Sequence, residues 1–189
     1  MQLIKRLLPL SVSTLALAAP LLTPDARAQG AGSSSGFEFR WSNDRDFRKL
    51  YYFLTQSEAQ ARSDYYLVLN PKDRKTALLK LAISVPNYFD AQITPSDVRL
   101  CTLQKGGVTS KTRCLETIPA TVEVAADGSA IEIFPNRPVP TGSTIGVHMQ
   151  IFNPSAGMYQ FNALGQAPGA VPISGYLGSW VVEINGAGQ

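Results

Sequence analysis

The amino-acid sequence predicts a mainly β protein, an immunoglobulin-like β-sandwich with one N-terminal amphipathic helix. From about residue 65 onward, short apolar or alternating segments follow one another, separated by Gly, Pro, Asn or Asp. Strands do not alternate with long helical patterns, as they do in nucleotide-binding α/β folds. The chain has 189 residues, which is enough for a single domain with a hydrophobic core.

The first segment, residues 1–28, has the pattern of a secretory signal peptide. Lys5 and Arg6 precede an apolar run over residues 7–22, and Ala26-Arg27-Ala28 forms a small-x-small cleavage site. The run is too short and too interrupted for a transmembrane helix, so we expect no transmembrane segment after cleavage. The Lys-Arg pair, in place of Arg-Arg, favours the general secretory route.

The charge balance argues against a nucleic-acid partner. The whole chain carries a formal charge of +3, and removal of the signal peptide, with three basic residues and one acidic residue, lowers it to +1. The exported protein therefore lacks the basic excess that nucleic-acid binding requires.

One amphipathic helix is predicted after a flexible linker, residues 29–36, at the start of a single domain, residues 37–184. Its N-cap lies among residues 42–44, and it extends to about Arg62. Its apolar stripe follows the helical spacing i, i+3, i+4, i+7, in Phe47, Leu50, Tyr51 and Leu54. Tyr52 and Phe53 fall beside this stripe, where they either widen the buried face or form an aromatic surface for a ligand or partner.

The strands are predicted in the remainder of the domain. Their segments are residues 65–69, 79–84, 98–103, 121–134, 144–152, 158–161 and 176–184. In residues 144–152 we expect the core face to hold Ile145, Val147, Met149 and Ile151. Residues 164–175 are rich in Gly and Pro and predict a long loop, and residues 185–189 predict a frayed tail.

A tight hairpin is predicted at Asp127-Gly128, the strongest two-residue turn signal in the chain. The turn sets Val124 against Ile131 and Val122 against Ile133 on one face. It also sets Glu123 opposite Glu132 on the other face, where we expect both to be exposed.

A disulfide is predicted between the two cysteines, Cys101 and Cys114. An even cysteine count in an exported protein favours pairing. Gly106-Gly107 lies near the midpoint between them, so a hairpin that turns there places the cysteines opposite each other. A redox or metal pair is disfavoured because the short C-x-x-C spacing is absent.

His148 is the single histidine and the weak candidate for a metal ligand. No G-x-S-x-G motif accompanies it, so the sequence assigns no catalytic residue. Copper would need more ligands, but His148 and Met149 are adjacent in a strand and point to opposite faces. No cofactor is expected, although the sequence leaves open whether any pair of carboxylates is close enough for acid–base chemistry.

Tyr176 and Trp180 are candidates for a sugar-stacking surface, with core or strand-edge positions as the alternative. The loop at residues 164–175 is the natural neighbour for such a surface, since loops on a rigid sandwich often carry binding.

From about Asp46 to Ile184 the chain resembles a secreted cyanobacterial family known only as a domain of unknown function. The similarity lies in residues 64–69, 134–142, 152–161, 167–169 and 175–180, and the Asn153-Pro154 to Phe161 segment is the most specific. The resemblance implies a cyanobacterial source and a periplasmic or thylakoid-lumen location. It implies no activity and no catalytic residues.

These observations favour an exported, non-catalytic binding or structural accessory protein of the cell envelope or thylakoid lumen. An envelope or thylakoid protein or a glycan is the expected partner. The alternatives are an envelope carbohydrate-binding module and a copper-binding protein.

Overall fold

Two antiparallel sheets form the domain in the computed structural model, which describes residues 47–107, 110–171, 173–186 and 188. The first sheet has the order β1 (Tyr52–Leu54), β2 (Arg62–Leu69), β8 (Ile145–Phe152), β4 (Val98–Gln104), β5 (Arg113–Thr117). The second sheet has the order β10 (Ser174–Ile184), β9 (Gly157–Gln166), β3 (Lys80–Ser84), β7 (Ala130–Pro135), β6 (Ala120–Val124). Two short 3₁₀ turns, Pro71–Asp73 and Pro95–Asp97, are the helical elements of the described residues. The prediction of a mainly β sandwich is confirmed, whereas the immunoglobulin-like connectivity stays a prediction.

Several predicted segments lie outside the described residues, namely the signal peptide (1–28), the linker (29–36), the start of the domain (37–46) and parts of the tail (185–189).

One continuous core fills the space between the sheets. Alternate residues of every strand except β5 enter or border it, and those of β8 are the four that the sequence predicts, each at most 4% exposed. Tyr159 and Phe161 from β9 pack in the same core against Phe89. Trp180 of β10 is fully buried, and its indole N–H donates to the Val68 carbonyl of β2, 3.1 Å away, so it links the two sheets.

The predicted N-terminal helix is wrong over the described residues 47–62. Tyr52–Leu54 form strand β1, which pairs with β2 through Tyr52–Leu67, Phe53–Tyr66 and Leu54–Tyr65. Phe47 and Tyr51, two members of the helical stripe, are 45% and 48% exposed, so that stripe is not a buried face. Aromatic residues fit a pleated surface well, and pairing with β2 outweighs a marginal helical pattern.

The hairpin around Asp127-Gly128 has the predicted register. Val124 lies opposite Ile131, Val122 opposite Ile133, and Glu123 opposite Glu132. Gly128 takes a positive φ of 72°, which glycine adopts without strain. Glu132 is not exposed as expected. It is half-buried, and its Oε1 atom lies 2.6 Å from Lys80 Nζ of neighbouring β3. This ion pair relieves the repulsion between the two glutamates.

The predicted loop at residues 164–175 is shorter than expected. Strand β9 continues to Gln166 and β10 begins at Ser174, so the connection spans residues 167–173. Glycines within the two strands did not end them, because each strand is paired along its length.

Asn153 holds the segment 55–61 against one end of the sandwich. Its side chain accepts from the Tyr65 hydroxyl at 2.7 Å and donates to the carbonyls of Gln56 (3.1 Å) and Glu58 (2.6 Å). It is 1% exposed, and its bond to Tyr65 is buried, while the two bonds to the carbonyls are partly buried. Burial also raises the pKa of the Tyr65 hydroxyl, which keeps this group neutral and donating.

The predicted disulfide joins Cys101 of β4 to Cys114 of β5. The sheet register places Leu103 opposite Cys114, with an irregularity after Thr102, so the cysteines are diagonal rather than directly opposite. Val68, Cys101 and Leu103 form a small apolar cluster on the outer side of the first sheet, and Cys114 packs against it.

Cys101→Ser is expected to lower the free energy of unfolding by about 3 kcal/mol, because the bond closes a loop that costs chain entropy when open. Thermal melting of the variant should be insensitive to reductant, whereas wild-type protein should fall to nearly the same melting temperature when reduced. A wild-type melting temperature that reductant leaves unchanged would contradict the bond.

Asn153→Ala is expected to lower the free energy of unfolding by about 3 kcal/mol, because it leaves the buried Tyr65 hydroxyl and two carbonyls with one partner fewer. Urea denaturation would measure the loss. Asn136→Ala, at an exposed asparagine, is the matched control and should change stability by less than about 0.5 kcal/mol. Equal effects from the two variants would refute the role assigned to Asn153.

Candidate functional site

Four side chains from adjacent strands form a row across the outer face of the first sheet. Register pairs Phe53 with Tyr66, Tyr66 with His148, and His148 with Arg99. The ring centroids of Phe53 and Tyr66 are 6.1 Å apart, and those of Tyr66 and His148 are 4.8 Å apart. We call Phe53, Tyr66, His148 and Arg99 the aromatic row, after the three rings among them. Phe53 and His148 are residues that the sequence analysis singled out, and the sheet brings them together.

The alternation of side chains along β8 places His148 on the outer face of the first sheet. Its odd-numbered residues are buried in the core, so Gly146, His148, Gln150 and Phe152 point outward. A Cβ at Gly146 would collide with the Leu103 side chain, so a larger residue here would force that side chain to move. The apolar cluster that contains Leu103 therefore borders the aromatic row on one side.

Polar groups lie on the other side of the row. His148 Nε2 is 2.8 Å from Asp64 Oδ1, and because a carboxylate only accepts, the imidazole N–H donates. Gln150 donates to the same oxygen at 3.3 Å and accepts from Arg62 at 2.8 Å. Burial raises the pKa of the Tyr66 hydroxyl, Asp64 raises it further, and Arg99 opposes the change.

The geometry of His148 does not suit triad catalysis. Its second ring nitrogen, Nδ1, is buried and has no hydrogen-bond partner among the described residues. In a triad the ring nitrogen that is not bonded to the carboxylate faces a nucleophile that a substrate can reach. The Asp64–His148 pair instead fixes the imidazole against Tyr66.

A copper site finds no ligand set in the described part of the chain. No three His, Cys, Asp or Glu side chains lie close enough there to hold a metal ion. Asp64 is a carboxylate partner of His148, but Met149 is fully buried in the core. Met158 of β9 is 64% exposed.

Of the two interpretations of Trp180, the structure favours the core position over the sugar-stacking surface. Trp180 is fully buried between the sheets and cannot stack on a ligand. Tyr176 is half-buried, and its hydroxyl lies 2.6 Å from Ser179 in a polar network with Asn162 on the outer face of the second sheet. Tyr52, the other predicted surface residue, packs against the core, and its hydroxyl accepts from the Glu183 N–H at 3.2 Å.

The sequence analysis missed Asp64, Tyr66 and Arg99 as neighbours of His148. The sequence pattern that points to Asp64 and Tyr66 is an alternation along β2, in which Arg62, Asp64 and Tyr66 are separated by the buried residues Ser63 and Tyr65. That alternation shows which residues point outward, but only the pairing of β2 and β4 with β8 brings them to His148.

The described residues contain no helix long and apolar enough to cross a membrane.

Three solved structures resemble the fold. The bacterial hydrophobin BslA matches with a TM-score of 0.45 and 15% identity, over 73% of this chain and 98% of that one. A collagen-binding domain from a Staphylococcus aureus adhesin matches with a TM-score of 0.40 and 10% identity, over 72% and 96%. The collagen-binding subdomain ACE19 of an Enterococcus faecalis surface protein matches with a TM-score of 0.42 and 8% identity, over 74% and 99%.

No curated protein matches the chain by sequence. The family described as "Protein of unknown function (DUF2808)" matches residues 39–184, which is most of the sequence, and the chain therefore belongs to this family.

Proposed function

We propose that the protein is an exported, non-enzymatic binding domain that serves as an accessory component of the cell envelope or thylakoid lumen. Its partner in this proposal is another protein, and its binding surface is the outer face of the first sheet. The signal-peptide pattern and the disulfide support export, since disulfides persist in oxidising compartments.

The main support for this proposal is the set of side chains on the outer face of the first sheet. Phe152 is 62% exposed and lies directly opposite exposed Arg62, while Arg99 is exposed at the end of the aromatic row. Aromatic and arginine side chains dominate the energetics of protein interfaces. Here the aromatic rings are held by cross-strand contacts, so little side-chain freedom is left to lose on binding.

A protein partner is favoured over a glycan. The carbohydrate hypothesis depended on Trp180 and Tyr176, which are buried or bonded within the domain. On the first sheet, Asp64 and Gln150 are already bonded to His148 and Arg62, so fewer polar groups remain for sugar hydroxyls.

Photo-crosslinking in the organism of origin tests this proposal. A photoreactive phenylalanine analogue replaces Phe152, which preserves the aromatic ring, and a matched analogue replaces exposed Thr121 on the outer face of the second sheet. A discrete protein adduct is expected from position 152 and not from position 121. Arg99→Glu should reduce that adduct about tenfold, as for loss of an interface arginine.

Two results would overturn the proposal. One is the same set of adducts from both positions, which would indicate random collision. The other is no protein adduct from position 152 in a protein that still melts cooperatively.

A further inference from the structure

The two ends of the sandwich carry opposite charge. Four connections meet at one end, namely residues 70–79, 105–112, 136–144 and 167–173, and their described exposed charges are all basic: Lys72, Lys75, Lys105, Lys111 and Arg137. The one acidic residue among them, Asp73, is 6% exposed and accepts from the Asn70 backbone and side chain. We call this the basic end.

Backbone hydrogen bonds join two of the four connections to each other and to the strands that lead into the other two. Leu78 and Val139 exchange two 2.9 Å hydrogen bonds, which join the first and third of these connections. The Leu79 N–H donates to Gln166, next to the fourth connection, and Leu103 donates to Thr144. Buried Arg74 adds side-chain bonds to the carbonyls of Val139, Pro140 and Ser143, so it fixes the loops rather than facing solvent.

The opposite end is acidic. Its connections are residues 55–61, 85–97, 125–129 and 153–156, and their charged residues are all acidic: Glu58, Asp90, Asp97 and Asp127. Asp90 accepts from the Ser155 N–H and hydroxyl, and these bonds lower the pKa of its carboxyl group. A charge separation along the strands orients the molecule in the field of a charged surface.

An uncharged apolar loop lies within the basic end. Residues 167–173 extend beyond the last strand pair, Gln166 with Ser174. Val171 and Ile173 in this loop are 65% and 70% exposed, the highest values among the large hydrophobic residues described. No Asp, Glu, Lys or Arg occurs from Pro138 to Val182.

We propose that the basic end docks on an anionic lipid bilayer, with Val171 and Ile173 inserted at the boundary between headgroups and acyl chains and the basic side chains against the headgroups. Apolar side chains ringed by lysine and arginine are the combination that binds membrane interfaces. A bilayer fits the loop because the aliphatic side chains project past the paired strands and a deformable surface can accept them. This inference does not depend on the aromatic row, which uses other residues.

Vesicle co-sedimentation tests the inference with purified full-length chain, its N terminus verified by mass spectrometry. The vesicles are phosphatidylcholine with or without 30% phosphatidylglycerol, at low and at high salt. Binding is expected only to the anionic vesicles and should weaken as salt rises. Val171→Asp with Ile173→Asp, and separately Lys72→Glu with Lys75→Glu, should each weaken binding about tenfold or more.

Matched controls separate this end from the rest of the surface. Met158→Asp removes a side chain of similar exposure, 64%, on the outer face of the second sheet. Lys49→Glu reverses an exposed charge outside the basic end. Both should bind like wild type. Every variant shares residues 1–46, so differences cannot come from the apolar segment near the N terminus.

A second measurement guards against misfolded variants. Ile173→Trp adds one indole at the loop, and its emission should shift to the blue and be quenched by brominated lipid in anionic vesicles. Trp41 and Trp180 add their own emission, so the shift is measured against the wild-type chain under the same conditions.

Three outcomes would overturn the inference. They are no binding of wild type to anionic vesicles, equal loss in the control variants, and an Ile173→Trp emission that lipid does not change. Self-association without lipid that Asp90→Lys abolishes, together with absent vesicle binding, would assign the basic end to the acidic end of a second copy instead.

Discussion

The burial of one side of β8 determines what the other side of the first sheet can present. Ile145, Val147, Met149 and Ile151 are each at most 4% exposed in the core, and a slip of one residue would put all four into solvent. The same constraint fixes His148 and Gln150 on the outer face. Because β8 lies between β2 and β4, its register also determines that Tyr66 and Arg99 flank His148. The aromatic row is thus a consequence of core packing.

The ends of the sandwich are fixed by fewer, more specific contacts. At the acidic end Asn153 binds two carbonyls of the segment 55–61, and at the basic end Arg74 binds three carbonyls of the segment 136–144. Burial lowers the pKa of Arg74, while neighbouring Asp73 opposes that change. Both residues donate to backbone carbonyls of these segments, and the Val139 and Glu58 carbonyls also accept a backbone N–H. The loops at each end are therefore positioned by buried polar side chains, which leaves their exposed residues available for binding.

Local chemistry made part of this fold predictable. The Asp127-Gly128 turn specified its hairpin register, the alternation in β8 specified a core face, and the pair of cysteines about a Gly-Gly turn specified their bond. The N-terminal segment was misjudged because Phe47, Leu50, Tyr51 and Leu54 fit a helix locally, whereas the strand forms through pairing with distant β2. For Trp180 the sequence left a core position and a ligand surface open for a related reason: its indole bonds to the Val68 carbonyl, which is 112 residues away in sequence. The site was predictable only as single residues, His148 and Phe53, because their grouping requires the sheet order.

The direction of the strands determines how the basic end and the outer face of the first sheet are oriented relative to each other. The strands run from the acidic end to the basic end, so a molecule seated on a bilayer by its basic end would hold its sheets away from the membrane plane. The outer face of the first sheet, with Arg62, Arg99 and Phe152, would then face sideways and remain open to another protein on the same membrane. Confinement to a surface raises the effective concentration of such a partner. A modest interface at the aromatic row could therefore suffice in the cell even where binding in dilute solution is weak.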